Sequence, residues 1–290
     1  MELAGIDNVL RRGSYCTHVK DVDCKPLTRK GLRRLESNDP LMAGVLLDED
    51  TWSERVGRAI SGSISLHKLV LEAYEDDEGK IWLDEMCQAL AHNRSIECLD
   101  LDMNECDPDL DIFHLLSPFL EHNHNLPHIC VFESRVSTTF NSLVAALSKW
   151  KNSRLEHIQV CTLDSTAEQS AAFFSSLSEH RRLMVVIFES IFIERMGCTA
   201  LSALLENPAT KIHTLHLEYN NEDEEGIDDG IDDECTAILS NACIKNSTLR
   251  SLSLRGNSLS ATGWSMFSKF ISYASCSLET LLLKGCQIGD

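Results

Sequence analysis

Residues 249–263 read LRSLSLRGNSLSATG, and residues 278–290 repeat the opening of that phrase as LETLLLKGCQIGD. Both place apolar side chains at i, i+3 and i+5: Leu249, Leu252 and Leu254 in one, Leu278, Leu281 and Leu283 in the other. The last two of each trio share a face of an extended segment, so the phrase reads as a short strand with one side committed to a core. The signature runs back through the chain as Ile212-Leu215-Leu217, Leu183-Val186-Phe188, Leu155-Ile158-Val160, Leu126-Ile129-Val131, Ile96-Leu99-Leu101 and Leu66-Leu69-Leu71. From Leu66 onward, successive first residues lie 30, 30, 29, 28, 29, 37 and 29 apart, and a fainter copy, Met42-Val45-Leu47, precedes Leu66 by 24.

Between the strand phrases the spacing turns helical, as in KIWLDEMCQALA (80–91), DIFHLLSPFLEH (111–122), FNSLVAALSKW (140–150) and GWSMFSKFISYA (263–274). Asn93, Asn123, Asn152 and Asn246, with His180 once, stand three residues before the next strand anchor. An Asn that tolerates left-handed backbone is suited to stop a helix there. A strand, a helix and a return to a parallel strand define an α/β chain, a right-handed βα solenoid with a concave parallel sheet and outer helices. One unit cannot bury its own apolar face, so about eight to nine units over residues 41–290 must stack. The last copy stops at QIGD, where a helix should begin, which predicts end-to-end self-association or a shortened chain.

These phrases resemble leucine-rich repeats of the ribonuclease-inhibitor class, whose pattern is LxxLxLxx(N/C)xL with a full helix in each unit. The resemblance extends over about residues 40–290. Asn104, Asn220 and Asn257 match its Asn slot and Cys286 its Cys variant. It implies that these side chains satisfy backbone groups as the chain leaves each strand. Ser134, Leu163 and Ile191 depart from the pattern, so irregular loops are expected after those strands. The resemblance implies a module that works by protein–protein recognition. Ran GTPase-activating proteins share the repeat class and also carry acid, which makes GTPase activation the alternative, with Arg255 a guess at its residue. A third reading is the sensing half of a larger receptor.

Composition fits an ordered protein, with 43% apolar residues and a mean hydropathy of −0.13. No apolar run approaches the roughly 18 residues of a membrane span, and the N-terminal MELAGIDNVLRRGSYC lacks the apolar centre of a signal peptide. Twelve Cys without a CxxC pair point to reduced thiols, hence a cytoplasmic or nuclear chain rather than a secreted one. The net charge of −19 argues against nucleic acid and anionic membrane as main partners. Residues 1–34 nevertheless carry eight Lys/Arg against four Asp/Glu, leaving −23 on the remainder. Residues 1–40 therefore read as a basic arm or cap that is solvated, binds a partner or folds back on the acidic body. No GxxxxGK[ST], GxSxG, HExxH or kinase set occurs, so neither enzyme activity nor a cofactor is expected.

Positions two, four and six after each anchor point away from the core and line the concave face. Acid marks Glu72, Asp100 and Asp102 on the early rungs and Glu189 and Glu218 later, while Arg255 and Lys284 make the last rungs basic. The middle is softer, with Phe132, Cys130, Cys161, Val185 and Ile187, and His128, His157 and His216 add polar edges. An apolar centre with charged flanks suits a protein partner. Cys98, His128 and His157 share one column beside Cys130, a set that suits a soft metal. Scattered surface His and Cys is the plainer account, and no metal is expected.

Acid also gathers in the strand-to-helix connections. Glu75, Asp76, Asp77 and Glu78 form one run, and Asp107, Asp109 and Asp111 occupy the same connection one unit on. Residues 218–235, EYNNEDEEGIDDGIDDEC, add Glu222, Asp223, Glu224, Glu225, Asp228 and Asp229 in an insertion of about eight residues. Parallel stacking puts these loops on one rim, predicting an acidic edge that favours a basic protein partner. As a calcium loop the insertion fails in detail. With Gly226 at position six, Asp228 stands where Ile belongs and Asp232 replaces the closing Glu.

Overall fold

The computed structural model describes residues 22, 24–48, 50–74, 79–105, 111–123, 125–133, 138–150, 154–162, 165–190, 192–218, 231–257, 259–273, 277–284 and 286. Nine strands form one parallel sheet whose spatial order is their order in the chain. They are β1 (Gly44–Leu47), β2 (Lys68–Tyr74), β3 (Cys98–Glu105), β4 (His128–Glu133), β5 (His157–Thr162), β6 (Val185–Glu189), β7 (Thr214–Glu218), β8 (Ser251–Ser253) and β9 (Thr280–Leu282). The faint copy at Met42-Val45-Leu47 is therefore a true first rung. An unbroken sequential parallel order means that every crossover returns on the same side, which is a solenoid rather than a doubly wound sheet.

Helices fill the returns. Among the described residues they are α1 (Arg29–Glu36), α2 (Glu54–Gly62), α3 (Gly79–Leu90), α4 (Ile112–His122), α5 (Thr138–Lys149), α6 (Ala167–Ser176), α7 (Arg195–Glu206), α8 (Asp233–Lys245) and α9 (Ala261–Ile271). Among the described residues no helix is long and apolar enough to cross a membrane. Short polar side chains start most of them. Thr28, Ser53, Asp111, Thr166, Asp232 and Ser260 each accept a backbone N–H of the first turn. Asp111 therefore closes the top of α4 as its N-cap, a structural duty beyond the rim charge expected of it.

The strand anchors all enter one core. Leu66, Leu69, Leu71, Ile96, Leu99, Leu101 and their counterparts as far as Leu254 are buried, and helix residues such as Phe113, Phe119, Phe173 and Leu201 pack onto them. Phe140, Phe173, Phe174 and Phe188 gather at mid-stack. Phe188 stacks on Phe173 at 4.9 Å between centroids and meets Phe174 at 4.8 Å.

Asn152 lies outside the described residues, and the other Asn before the strands do something other than stop a helix by left-handed backbone. Asn123 has φ −94° and Asn246 φ −78°, and among the described non-glycine residues positive φ occurs only at Asn38 and Ser190. These side chains instead bridge turns of the stack. Asn93 Nδ2 donates to Ile60 O at 2.7 Å and Ser63 O at 3.1 Å, and its Oδ1 accepts from Ser95 N at 2.8 Å and Ile96 N at 3.0 Å. Asn246 repeats the arrangement, donating to Leu205 O at 2.7 Å and accepting from Thr248 N and Leu249 N. His180 makes such a bond between Nε2 and Leu147 O at 3.1 Å. Before β7 the duty moves to Asn207, five residues ahead of Ile212, which reaches Ser178 O at 3.5 Å. Asn246 and His180 each meet a carbonyl in the last turn of the helix one unit back, as a buried helix end requires, and Asn93 shares Ile60 O with Ser63 N and Ser63 O with Ser95 Oγ.

A second ladder runs where the chain leaves the strands. Asn257 Nδ2 donates to Leu217 O at 2.7 Å and Leu254 O at 2.9 Å, and Cys286 Sγ donates to Leu254 O at 2.9 Å. Asn104 lies within β3, while Asn220, Ser134, Leu163 and Ile191 fall outside the residues whose side chains are described.

At the N-terminal edge, Leu27 N donates to Leu46 O at 3.2 Å and Leu46 N to Lys25 O at 3.1 Å, so residues 25–27 run along the free edge of β1. Helix α1 follows and sends Leu35 into the core. Pairing and covering an edge strand in this way removes a template for aggregation.

Candidate recognition surface on the concave sheet

Strand register sets the columns of the concave face. Gly44, Lys68, Cys98, His128, His157, Val185, Thr214, Ser251 and Thr280 are partners in line. Two columns along, Glu72 pairs with Asp102 and Glu189 with Glu218, so like charges stand directly opposite on adjacent strands twice. Phe132 and Cys161 separate the two acidic pairs. Like charges across neighbouring strands are destabilising unless a cation meets them.

On the same two strands as the first pair, a diagonal ion pair engages a third acid. Lys68 Nζ lies 2.9 Å from the Asp100 carboxylate of the next strand, with both side chains about nine-tenths buried. Burial alone would push the Lys68 ammonium down, but the Asp100 carboxylate outweighs it and holds the pKa above its ordinary value.

Glu218 sits at the second pair with His216 Nδ1 3.5 Å away and Arg255 3.7 Å away. Burial pushes His216 below its ordinary pKa against the pull of Glu218. Glu189 is driven up to about 7, first by burial and then by the Glu218 charge, with Arg255 pulling the other way. Its ordinary value is 4.5, so the folded chain holds this proton more tightly than the unfolded chain does. The stability it contributes is complete below pH 4.5 and is lost as pH rises through 7. Glu189→Gln is accordingly expected to stabilise the fold at pH 8 by on the order of 2 kcal/mol and to leave it nearly unchanged at pH 4. Urea midpoints at the two pH values check this, and an equal shift at both would contradict the assignment.

The face is more enclosed than an open sheet. His128, His157, Gln159, His216, Glu218 and Ser253 are buried polar side chains along it. Cys130, Cys161 and Ile187 are buried as well, yet none belongs to the main core between sheet and helices. Cys98 is fully buried in a separate small cluster, with Val22 packed on it. A Cβ on Gly44 would collide with Val22 Cγ1 and approach Cys24 Sγ to 2.8 Å. Val22 and Cys24 therefore lie over the concave side of β1 to β3, and glycine permits that close approach.

Cys98, His128 and His157 do align, and the two imidazoles stand 5.6 Å apart between centroids. Among the described residues no group of three or more His, Cys, Asp or Glu is arranged to hold a metal ion. None of the nine described cysteines is in a disulfide. Lys284 and Leu282 mark an exposed far end of the sheet. Of the rim residues, Glu75, Asp76, Asp77, Glu78, Asp107, Asp109, Glu222, Asp223, Glu224, Glu225, Asp228 and Asp229 lie outside the described residues. Asp232, the closing position of the calcium-loop reading, is instead the cap of α8, accepting from Cys235 N at 2.6 Å.

Sequential parallel rungs, leucine anchors at fixed spacing and Asn or Cys bridges between turns make this chain a leucine-rich-repeat protein. The Leucine Rich repeat family model matches residues 245–268, the stretch that holds β8 and the Asn257 bridge. The chain is 26% identical over 243 residues to NACHT, LRR and PYD domains-containing protein 12 of Homo sapiens, and 24% identical to that of Mus musculus over the same length. Each match takes in 83% of this chain and 22% of the relative. NACHT, LRR and PYD domains-containing protein 14 of Mus musculus is 22% identical over 169 residues, 58% of this chain and 16% of that one. The chain thus spans about a fifth of the length of these curated relatives. Among solved structures, a Bacteroides fragilis protein aligns with a TM-score of 0.46 at 14% identity, over 79% of this chain and 69% of that one. TLR13 in its complex with ssRNA13 aligns at 0.41 and 14% identity, over 87% of this chain and 34% of that one.

Proposed function

We propose that this chain is a protein-recognition module of the ribonuclease-inhibitor-like subclass whose concave face takes a basic segment of a protein partner. The observation that carries this reading is the pair of in-register acid couples, Glu72 with Asp102 and Glu189 with Glu218, flanking Phe132 and Cys161. A parallel sheet gains nothing from like charges placed side by side. A basic segment across the face would add a guanidinium or ammonium to the Arg255 that already stands 3.7 Å from Glu218, and the apolar stretch between the couples offers a desolvated anchor. The acidic rim of Glu222–Glu225, Asp228 and Asp229 would add long-range attraction, felt mainly in the association rate. The fragment-length match to relatives that carry NACHT and PYD domains supports a sensing or interaction role, with any catalysis left to parts outside this match.

Selection of displayed peptides on the purified chain tests the reading. Enriched sequences should hold an excess of Lys and Arg, and capture should weaken about tenfold in Glu189→Gln/Glu218→Gln and fall as salt rises. Selected peptides without that excess, or equal capture by the double variant, would overturn it.

A further inference from the structure

Two neighbouring units carry a thiol at the same place in the repeat. Cys198 stands 15 residues after Leu183, and Cys235 stands 23 after Ile212, the same position once the eight extra residues before α8 are set aside. We propose that Cys198 and Cys235 form a redox-controlled disulfide between α7 and α8, made by exchange with a low-molecular-weight disulfide of the glutathione class, that staples these two units together.

Position comes first. One unit earlier this place is held by Ser170, whose Oγ donates to Phe192 O of the next unit at 2.5 Å. A Cβ on Gly197 of that next unit would stand 3.4 Å from the Ser170 Cβ. Side chains here therefore point at the adjoining turn of the stack. Where both neighbours are Cys the reach is mutual, and the Cys198 and Cys235 thiols are in hydrogen-bond contact. Cys235 Sγ also reaches Ile193 O, just ahead of α7, at 4.0 Å. Beside them Arg195 Nη1 meets Glu234 Oε1 at 3.0 Å, tying the first turns of the same two helices. Facing sulfurs on elements already held side by side are what a disulfide requires.

The exchange balances with glutathione disulfide as the oxidant. The Cys235 thiolate attacks one glutathione sulfur and expels a glutathione thiolate. The Cys198 thiolate then attacks the Cys235 sulfur of the mixed disulfide and expels the second. The two cysteine protons end on the two glutathione thiols, and two electrons pass from the cysteines to glutathione. In the closed fold, contact with Cys235 and then burial push the Cys198 thiol above its ordinary pKa. The closed pair is thus a poor nucleophile, and exchange waits on opening of the first turn of α8. The units it staples are those whose strands, β6 and β7, carry Glu189 and Glu218, but the proposal does not rest on what those acids bind.

The test exposes the full-length chain to glutathione disulfide, in buffer and in urea below the unfolding transition. Residual thiols are blocked, and peptides are read without reduction by mass spectrometry. A linked Cys198–Cys235 peptide pair should form in both, about tenfold faster in urea. It should vanish in Cys198→Ser and in Cys235→Ser and persist in Cys243→Ser. The oxidised chain should melt about 5 °C above the reduced one, a rise that dithiothreitol reverses and Cys235→Ser abolishes. No linked pair in either condition, a linkage to Cys243 in its place, or an oxidised chain that melts no higher would overturn the proposal.

Discussion

Phe188→Ala is expected to cost about 4 kcal/mol, the range for emptying a buried aromatic site. Phe188 stands where other rungs carry Leu or Val, and Phe173 and Phe174 of α6 lie within 5 Å of its ring centroid, with Phe140 of α5 beyond them. No neighbour can collapse into the hole without leaving its own ring contacts. A repeat stack adds a second effect, because each unit touches only its neighbours and cooperativity passes through every interface. Weakening β6 should therefore split one unfolding transition into two, one for the rungs before it and one for those after. Calorimetry checks both consequences. A small uniform drop in Tm with a single transition would show that the ring cluster is not a coupling point. Phe188→Leu, which restores the commoner residue, should lose well under half as much.

Asn93→Ala is expected to cost about 3 kcal/mol although it removes only a small polar group. Asn93 is fully buried, and its loss takes the acceptor from Ser95 N and Ile96 N before β3, while Ile60 O keeps Ser63 N and Ser63 O keeps Ser95 Oγ. Each buried group left without a partner costs about 1–3 kcal/mol, and water entering the gap recovers part of it. Asn93→His copies His180, whose Nε2 bonds Leu147 O, and should recover less than half of the loss. Guanidinium unfolding of the two variants makes the comparison. An alanine variant within about 0.5 kcal/mol of the parent would mean that the bridge contributes little.

The fold is legible from residue order because its information is periodic. Leu66, Ile96, Leu126 and their successors recur at nearly constant spacing, and only one architecture converts that spacing into a buried row. The columns of the concave face follow from the same arithmetic, which is why Glu189 and Glu218 fall opposite each other as the intervals require. What periodicity cannot report is contact across columns or from outside the repeat. Lys68 with Asp100 is a diagonal pair between different positions of adjacent rungs, and Val22 on Cys98 joins a non-repeating segment to a repeating one. The Asn before each strand was visible as a position, but its purpose was not. Left-handed backbone and a carbonyl bridge both favour Asn, and only φ and the bond partners tell them apart. Asp111 and Asp232 were visible as charge, and their service as helix caps depends on where a helix starts to within one residue.

The two ladders of bridges also separate length from geometry. Asn246 to Leu205 and Asn257 to Leu217 span 41 and 40 residues, against 33 for Asn93 to Ile60, yet all three close at 2.7 Å. The extra residues between β7 and α8 are fenced on both sides by clamps that do not register them. The sequence from 219 to 230 is accordingly expected to accept rewriting, lengthening or exchange for a reporter while the rungs on either side keep their spacing.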